Sequence, residues 1–192
     1  MKKFLLPILC FLVVLFAFAL CTSDDSSSET TSESSSDSSL TKEDPQLNKA
    51  KKTAWEYHQS IDEMTDKTTY YASIESENEV EFDFPYNGGS SLTLTIRNSP
   101  QYGKNIYIKI SKGQFNPGIN GTNIKVRFDD NEPIIVHCIQ PSDYSTDLLF
   151  IDNYNKVLNK IKESRTMKIN AEFFSEGTRT FNFKTEGLEW DH

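Results

Sequence analysis

Val80-Glu81-Phe82-Asp83-Phe84 and Leu92-Thr93-Leu94-Thr95-Ile96-Arg97 each alternate apolar and polar residues from one position to the next. A period of two sends successive side chains to opposite faces of an extended strand, so each stretch has one face to bury and one to wet. Between them stands Pro85-Tyr86-Asn87-Gly88-Gly89-Ser90. Proline fixes its own φ, while Asn and Gly tolerate the positive φ of tight turns. The two stretches therefore read as the strands of a hairpin, and the fold as β.

The pattern recurs downstream. Ile106, Ile108 and Ile110 follow the Ser99-Pro100 turn, and Ile124, Val126 and Phe128 follow Asn116-Pro117-Gly118 and Asn120-Gly121. Pro133–Ile139 is nearly all apolar, which predicts a central strand covered on both faces with Cys138 packed as a small hydrophobe, ended by Pro141-Ser142-Asp143. Tyr154, Val157, Leu158 and Ile161 then fall at i, i+3, i+4 and i+7 behind Asp152, the spacing of an amphipathic helix. Met167, Ile169, Ala171 and Phe173, then Phe181 and Phe183, give two last strands turned through Glu176-Gly177. Gly187-Leu188-Glu189-Trp190 brings large apolar groups that lock the end of the chain into the core.

Upstream, Thr68–Ile74 is rich in the β-branched and aromatic residues of strands, and Trp55, Tyr57 and Ile61 fall on one side of an earlier one. Asp44-Pro45 opens a short helix over Pro45–Lys52, the acid capping and the proline in the first helical position. The expectation is a mainly β domain: an antiparallel β-sandwich or curved sheet of about nine strands, with one helix at about 152–163 before the last two. An open sheet with the helix across one face is the alternative.

The first residues give an address. Lys2 and Lys3 precede an apolar run from Phe4 to Leu20, the run ends at Cys21, and only Ser, Thr, Asp and Glu follow from Thr22 to Ser39. A basic start before an apolar run is the form of an export signal. Three fates fit it: cleavage before Cys21 with lipid attached there, cleavage after Ala17-Phe18-Ala19, or an uncleaved anchor. The first is preferred, although Leu20 stands where lipoproteins usually have a small residue. The Ser/acidic stretch has nothing to bury and reads as a disordered tether with a reach of about 25–30 Å for roughly 25 residues. The organisation is a signal peptide over 1–21 with Cys21 as the lipidation candidate, a tether over 22–46 and one extracytoplasmic β-rich domain over 47–192.

The chain holds 28 acidic and 20 basic residues, a net charge of −8, and has no basic run. That argues against nucleic acid and against electrostatic docking on anionic lipid. Of three cysteines, Cys10 and Cys21 lie in the signal, so Cys138 has no partner for a disulfide within the domain.

Few residues point to chemistry. Glu75, Glu77, Glu79, Glu81 and Asp83 occupy alternate positions and, if extended throughout, share one side. They read first as a solvated face that discourages strand addition, and second as an acidic interaction face for a cation or basic partner. A turn at Ser76–Asn78 would split the row. Asp129-Asp130-Asn131-Glu132 gathers oxygen ligands of the kind Ca²⁺ takes, but without the spacing and glycine of an EF-hand loop. A turn is the simpler reading, leaving Asp129, Asp130 and Glu132 as weak metal candidates. His137 lies near Ser142 and Asp143, with no Gly-x-Ser-x-Gly elbow. Arg97 and Arg127 sit opposite the apolar faces of their strands, where pairing with the acidic row is expected. No cofactor is called for.

Taken in order, Trp55, Asp62, Leu94-Thr95-Ile96-Arg97, Arg127-Phe128-Asp129 and Gly187-Leu188-Glu189-Trp190 resemble a group of exported bacterial lipoproteins of β-sandwich type. The outline is similar to the type VI secretion accessory proteins of the TagO/VasI group. Many of these have a cysteine beside the arginine, where Asn98 stands here. The resemblance implies an exported domain with a structural or binding role and carries over no catalytic residue.

Together these readings give an envelope-anchored lipoprotein on the outer membrane or cell surface, or in the alternative a secreted or periplasmic protein. Its expected role is a non-enzymatic binding or assembly module, with the membrane as partner through its lipid and another envelope protein as a further one. The rival is an envelope hydrolase or carbohydrate-active domain using Asp129, Asp130 and Glu132.

Overall fold

The structure is a computed structural model in which residues 53–192 are described. The signal, Cys21, the tether and the helix expected over Pro45–Lys52 lie outside the described residues.

Nine strands and one helix follow in order: β1 (Glu56–Asp62), β2 (Lys67–Glu75), β3 (Leu92–Ser99), β4 (Gly103–Ile110), β5 (Thr122–Phe128), β6 (Ile134–Ile139), β7 (Leu148–Ile151), α1 (Tyr154–Glu163), β8 (Met167–Phe173) and β9 (Gly177–Phe183). All strands belong to one open antiparallel sheet in the order β1-β2-β3-β4-β7-β6-β5-β8-β9. Of the expected architectures it is the curved single sheet, not two packed layers.

Alternation explains most of it. Ile106, Ile108 and Ile110 of β4, Ile124, Val126 and Phe128 of β5, and Met167, Ile169, Ala171 and Phe173 of β8 are all buried on one face. Val157, Leu158 and Ile161 of α1 join the same core. Four rings fill one end of it: Phe173 lies 4.9 Å from Phe115, 5.0 Å from Phe82 and 5.9 Å from Phe181 between centroids. Burying such a side chain stabilises by ~1.5–3 kcal/mol.

The sheet curls until its last strand meets the stretch after β2. There the Glu77 N–H donates to the Asn182 carbonyl at 2.8 Å, and the Asn182 N–H donates to Asn78 Oδ1 at 2.7 Å. Asn78 Nδ2 donates to the Thr180 carbonyl at 3.0 Å. Polar groups along the outer edge of β9 are thereby satisfied without a tenth strand.

Several expectations are corrected. Val80–Phe84 is not a strand: Val80 makes a single bridge to Ser90, Phe82 turns into the core and Phe84 stands 86% exposed. Pro85, which has no N–H to donate, and the Gly88-Gly89 turn leave the ladder no room to extend. The strand that pairs with β3 is instead β2, in the register Ala72↔Ile96 and Ile74↔Leu94. β7, a run of four residues, had no counterpart in the periodic pattern. Of the residues expected on one side of the first strand only Trp55 is buried, because β1 is an edge strand exposed along its length. β6 is internal in the sheet but covered on one face alone, since Ile135 and Ile139 are 62% and 45% exposed.

Candidate binding face

The uncovered face of the sheet carries the residues that alternate with the core. In register, Ser73 of β2 faces Thr95 of β3, Thr95 faces Tyr107 of β4, Tyr107 faces Phe150 of β7 and Phe150 faces Ile139 of β6. One row beside it, Tyr71 faces Arg97 and Arg97 faces Asn105. Directly opposed residues share a face, so two rows of side chains cross the strands side by side.

Arg97 is the centre of this arrangement. Its Nε and Nη2 both donate to Asn105 Oδ1, at 3.3 and 2.6 Å, which fixes the plane of the guanidinium. Three rings surround it: Tyr102 at 5.1 Å, Tyr107 at 5.6 Å and Phe150 at 5.8 Å from its central carbon to the ring centroids. Tyr107 and Phe150 meet edge to face at 5.7 Å. A cation over aromatic faces is favourable, by ~0.5–1 kcal/mol at exposed sites and more when water is excluded. Burial pushes the Tyr107 hydroxyl above its ordinary pKa against the opposing pull of its bond to Thr95 and of Arg97, so it remains neutral across physiological pH.

Arg97, Tyr102, Asn105 and Phe150 line an open groove of about 600 Å³ together with Lys104, Ile139, Gln140, Asp152, Asn153 and Tyr154, and Tyr107 stands beside it against Phe150. Asn153, at the start of α1 with φ +60°, uses no side-chain atom to cap the helix. Tyr154 accepts from Trp190 Nε1 at 3.0 Å, which ties the groove to the end of the chain. The arrangement offers a planar cation, the Lys104 ammonium, aromatic rings, short amides and, on the far side, the Asp152 carboxylate.

The residues expected to carry chemistry stand elsewhere. The acidic row is split, since only Glu75 lies in a strand and the chain turns immediately after it. Glu75 accepts from the Ser91 hydroxyl and Glu81 from the Gly89 N–H, while Glu77, Glu79 and Asp83 are exposed on separate parts of the loop. No common face remains, because the loop must turn to lay Glu77 and Asn78 against β9.

Asp129, at φ +49°, accepts through one oxygen from the Arg165 and Thr166 N–H groups, each at 2.9 Å. Those bonds lower its pKa. Asp130 pairs with Arg127 at 3.4 Å, and Glu132 is exposed. Among the described residues no three His, Cys, Asp or Glu side chains converge as metal ligands.

Arg97 and Arg127 meet none of the acidic row, contrary to expectation, and Arg127 Nε is buried without a hydrogen-bond partner. His137 approaches Asn123 at 3.3 Å and Asp152 at 3.9 Å, whereas Asp143 turns away to accept from the N–H and hydroxyl of Ser145. Cys138 is fully buried, and desolvation pushes its thiol up to about 12.

Sequence reasoning named Arg97 but not its surroundings. The available signal was an aromatic ring at the wet position of a strand, Tyr107 between Ile106 and Ile108. No family model, no curated protein and no solved structure matches the chain.

Proposed function

We propose that the chain is a non-enzymatic binding module of the bacterial cell envelope, anchored by lipid at Cys21, that presents the uncovered face of its sheet to an envelope component. The observation that carries this reading is Arg97, a guanidinium oriented by Asn105 and ringed by Tyr102, Tyr107 and Phe150 with no carboxylate partner among the described residues. A cation held ready without a counter-ion on a solvent-facing aromatic surface suits recognition. The run from Lys2 to Cys21 and the Ser/acidic stretch after it support the location. An assembly role, compatible with the structural or binding role that the TagO/VasI resemblance implies, is the form of this reading in which the component is another envelope protein.

Two measurements test it. Radiolabelled palmitate is expected in the full chain and not in Cys21→Ser; a wild-type chain without label removes the anchor. Purified Cys21→Ser protein, which cannot carry the lipid, is expected to co-sediment with at least one isolated envelope fraction, and adding Tyr107→Ala with Phe150→Ala should reduce this at least tenfold. Recovery with no fraction would overturn the binding role.

A further inference from the structure

We infer that the groove beside Arg97 takes a saccharide bearing a carboxylate, an inference that rests on the binding role proposed above and names its ligand class. The guanidinium supplies the charge argument. Asn105 occupies its Nε side, and no acceptor among the described residues bonds Nη1, so the Nη1–Nη2 end is left for a second planar acceptor. A carboxylate matches that end with two parallel hydrogen bonds, which neither a hydroxyl nor a neutral amide can do. Three rings flank the guanidinium, which is only partly buried, and a ligand seated against them would lower the local dielectric and strengthen a charge-assisted pair.

The rest of the groove selects the body of the ligand. Phe150 and Ile139, cross-strand neighbours, both line the groove, with Tyr107 edge-on to Phe150 behind them, and the C–H face of a pyranose ring packs on an aromatic ring so placed. Asn153, free of any capping duty, faces the same space with an amide that can bond neighbouring hydroxyls. The volume, about 600 Å³, falls inside the ~300–1,000 Å³ usual for small-ligand sites. A peptide ending in a carboxylate would also satisfy Arg97, and is therefore the competing ligand in the test.

The test uses the full-length protein in detergent, titrated calorimetrically with carboxylate-bearing oligosaccharides (oligogalacturonates, glucuronate-containing and muramic-acid-containing fragments). The same sugars as methyl esters, and a short peptide with a free terminal carboxylate, serve as comparisons. At least one acidic sugar is expected to bind, with its methyl ester at least tenfold weaker. Arg97→Ala should lose tenfold or more, and Arg97→Lys should recover only part, since an ammonium cannot make the parallel pair. The ester comparison needs no variant, so a misfolded Arg97→Ala leaves the inference falsifiable. Binding of none of the acidic sugars, equal binding of acid and ester, or preference for the peptide overturns it. Envelope co-sedimentation that persists in any of those outcomes leaves the binding role standing and rejects the ligand class alone.

Discussion

Trp55 Nε1 donates to the Thr185 carbonyl at 2.9 Å, bonding the residue before β1 to the segment after β9 across 130 positions of sequence. Thr53 adds a hydroxyl bond to the Glu186 carbonyl at 3.2 Å, and the Tyr57 hydroxyl accepts from the Glu189 N–H at 2.8 Å. The described chain is clasped at both ends. Trp55, only 4% exposed, is the part of that clasp with apolar area behind it.

Trp55→Ala should cost ~3–5 kcal/mol, the range for emptying a buried aromatic site. Trp55→Phe keeps most of the area but leaves the Thr185 carbonyl without its donor, for a loss of ~1–3 kcal/mol. Urea denaturation of both variants checks the order. Equal midpoints for the two would mean that the hydrogen bond, and not the ring, holds the clasp.

Cys138 should make stability fall in alkali. Burial pushes its thiol from the ordinary 9.0 up to about 12, so between those values the native state keeps a proton that the unfolded state has lost. Stability then declines as pH rises, by up to about 1.4 kcal/mol per pH unit from this group. Denaturation at pH 8 and pH 10.5 should show a steeper loss for the wild type than for Cys138→Ala. Identical slopes would assign the decline to other groups. Labelling of Cys138 itself by a thiol reagent, read by peptide mapping, is expected only under denaturing conditions.

Asp129 acts in the opposite direction. Bonds from the Arg165 and Thr166 N–H groups hold its carboxyl below the ordinary 3.8, so its contribution is present at neutral pH and is lost as pH falls through the folded value, below 3.8. Asp129→Ala should lower the urea midpoint at pH 7, and its gap from the wild type should narrow in acid. Asp129→Asn, which keeps an acceptor oxygen and tolerates φ +49°, should fall between the two. A gap that does not change with pH would point to backbone conformation as the whole effect.

Two glycines separate conformational cost from collision. Gly103 has φ +69° with open space around it, and Gly121 has φ +84° with the Cys138 carbonyl where a Cβ would go. Gly103→Ala should therefore cost only the left-handed penalty, ~1–2 kcal/mol. Gly121→Ala must also push β6 aside and should cost ~3 kcal/mol or more. Comparable melting temperatures for the two would show that β6 yields easily.

The strands with three or more apolar residues at period two, such as Ile106–Ile110 and Met167–Phe173, were legible because each carries its own buried face. So was α1, from the spacing of Tyr154, Val157, Leu158 and Ile161. What failed was pairing. Val80–Phe84 has the alternation of a strand, but nothing in five residues reveals that β2 lies closer to β3 or that Phe84 ends in solvent. β7 escaped because four apolar residues in a row have no period. The binding face was less legible still. Thr95, Tyr107, Phe150 and Ile139 are brought together by register across strands that are distant in sequence, and Arg97 takes its meaning from neighbours that no local pattern announces.

Glu77 and Asn78 occupy hydrogen-bonding groups of β9 at Thr180 and Asn182, so among the described residues only β1 can receive another strand. Growth of the sheet is therefore one-sided. Two copies joined through β1 would turn a sealed β9 outward at either end, and accretion would stop at the pair. A loop of a few residues thus places an upper bound on edge-to-edge polymerisation.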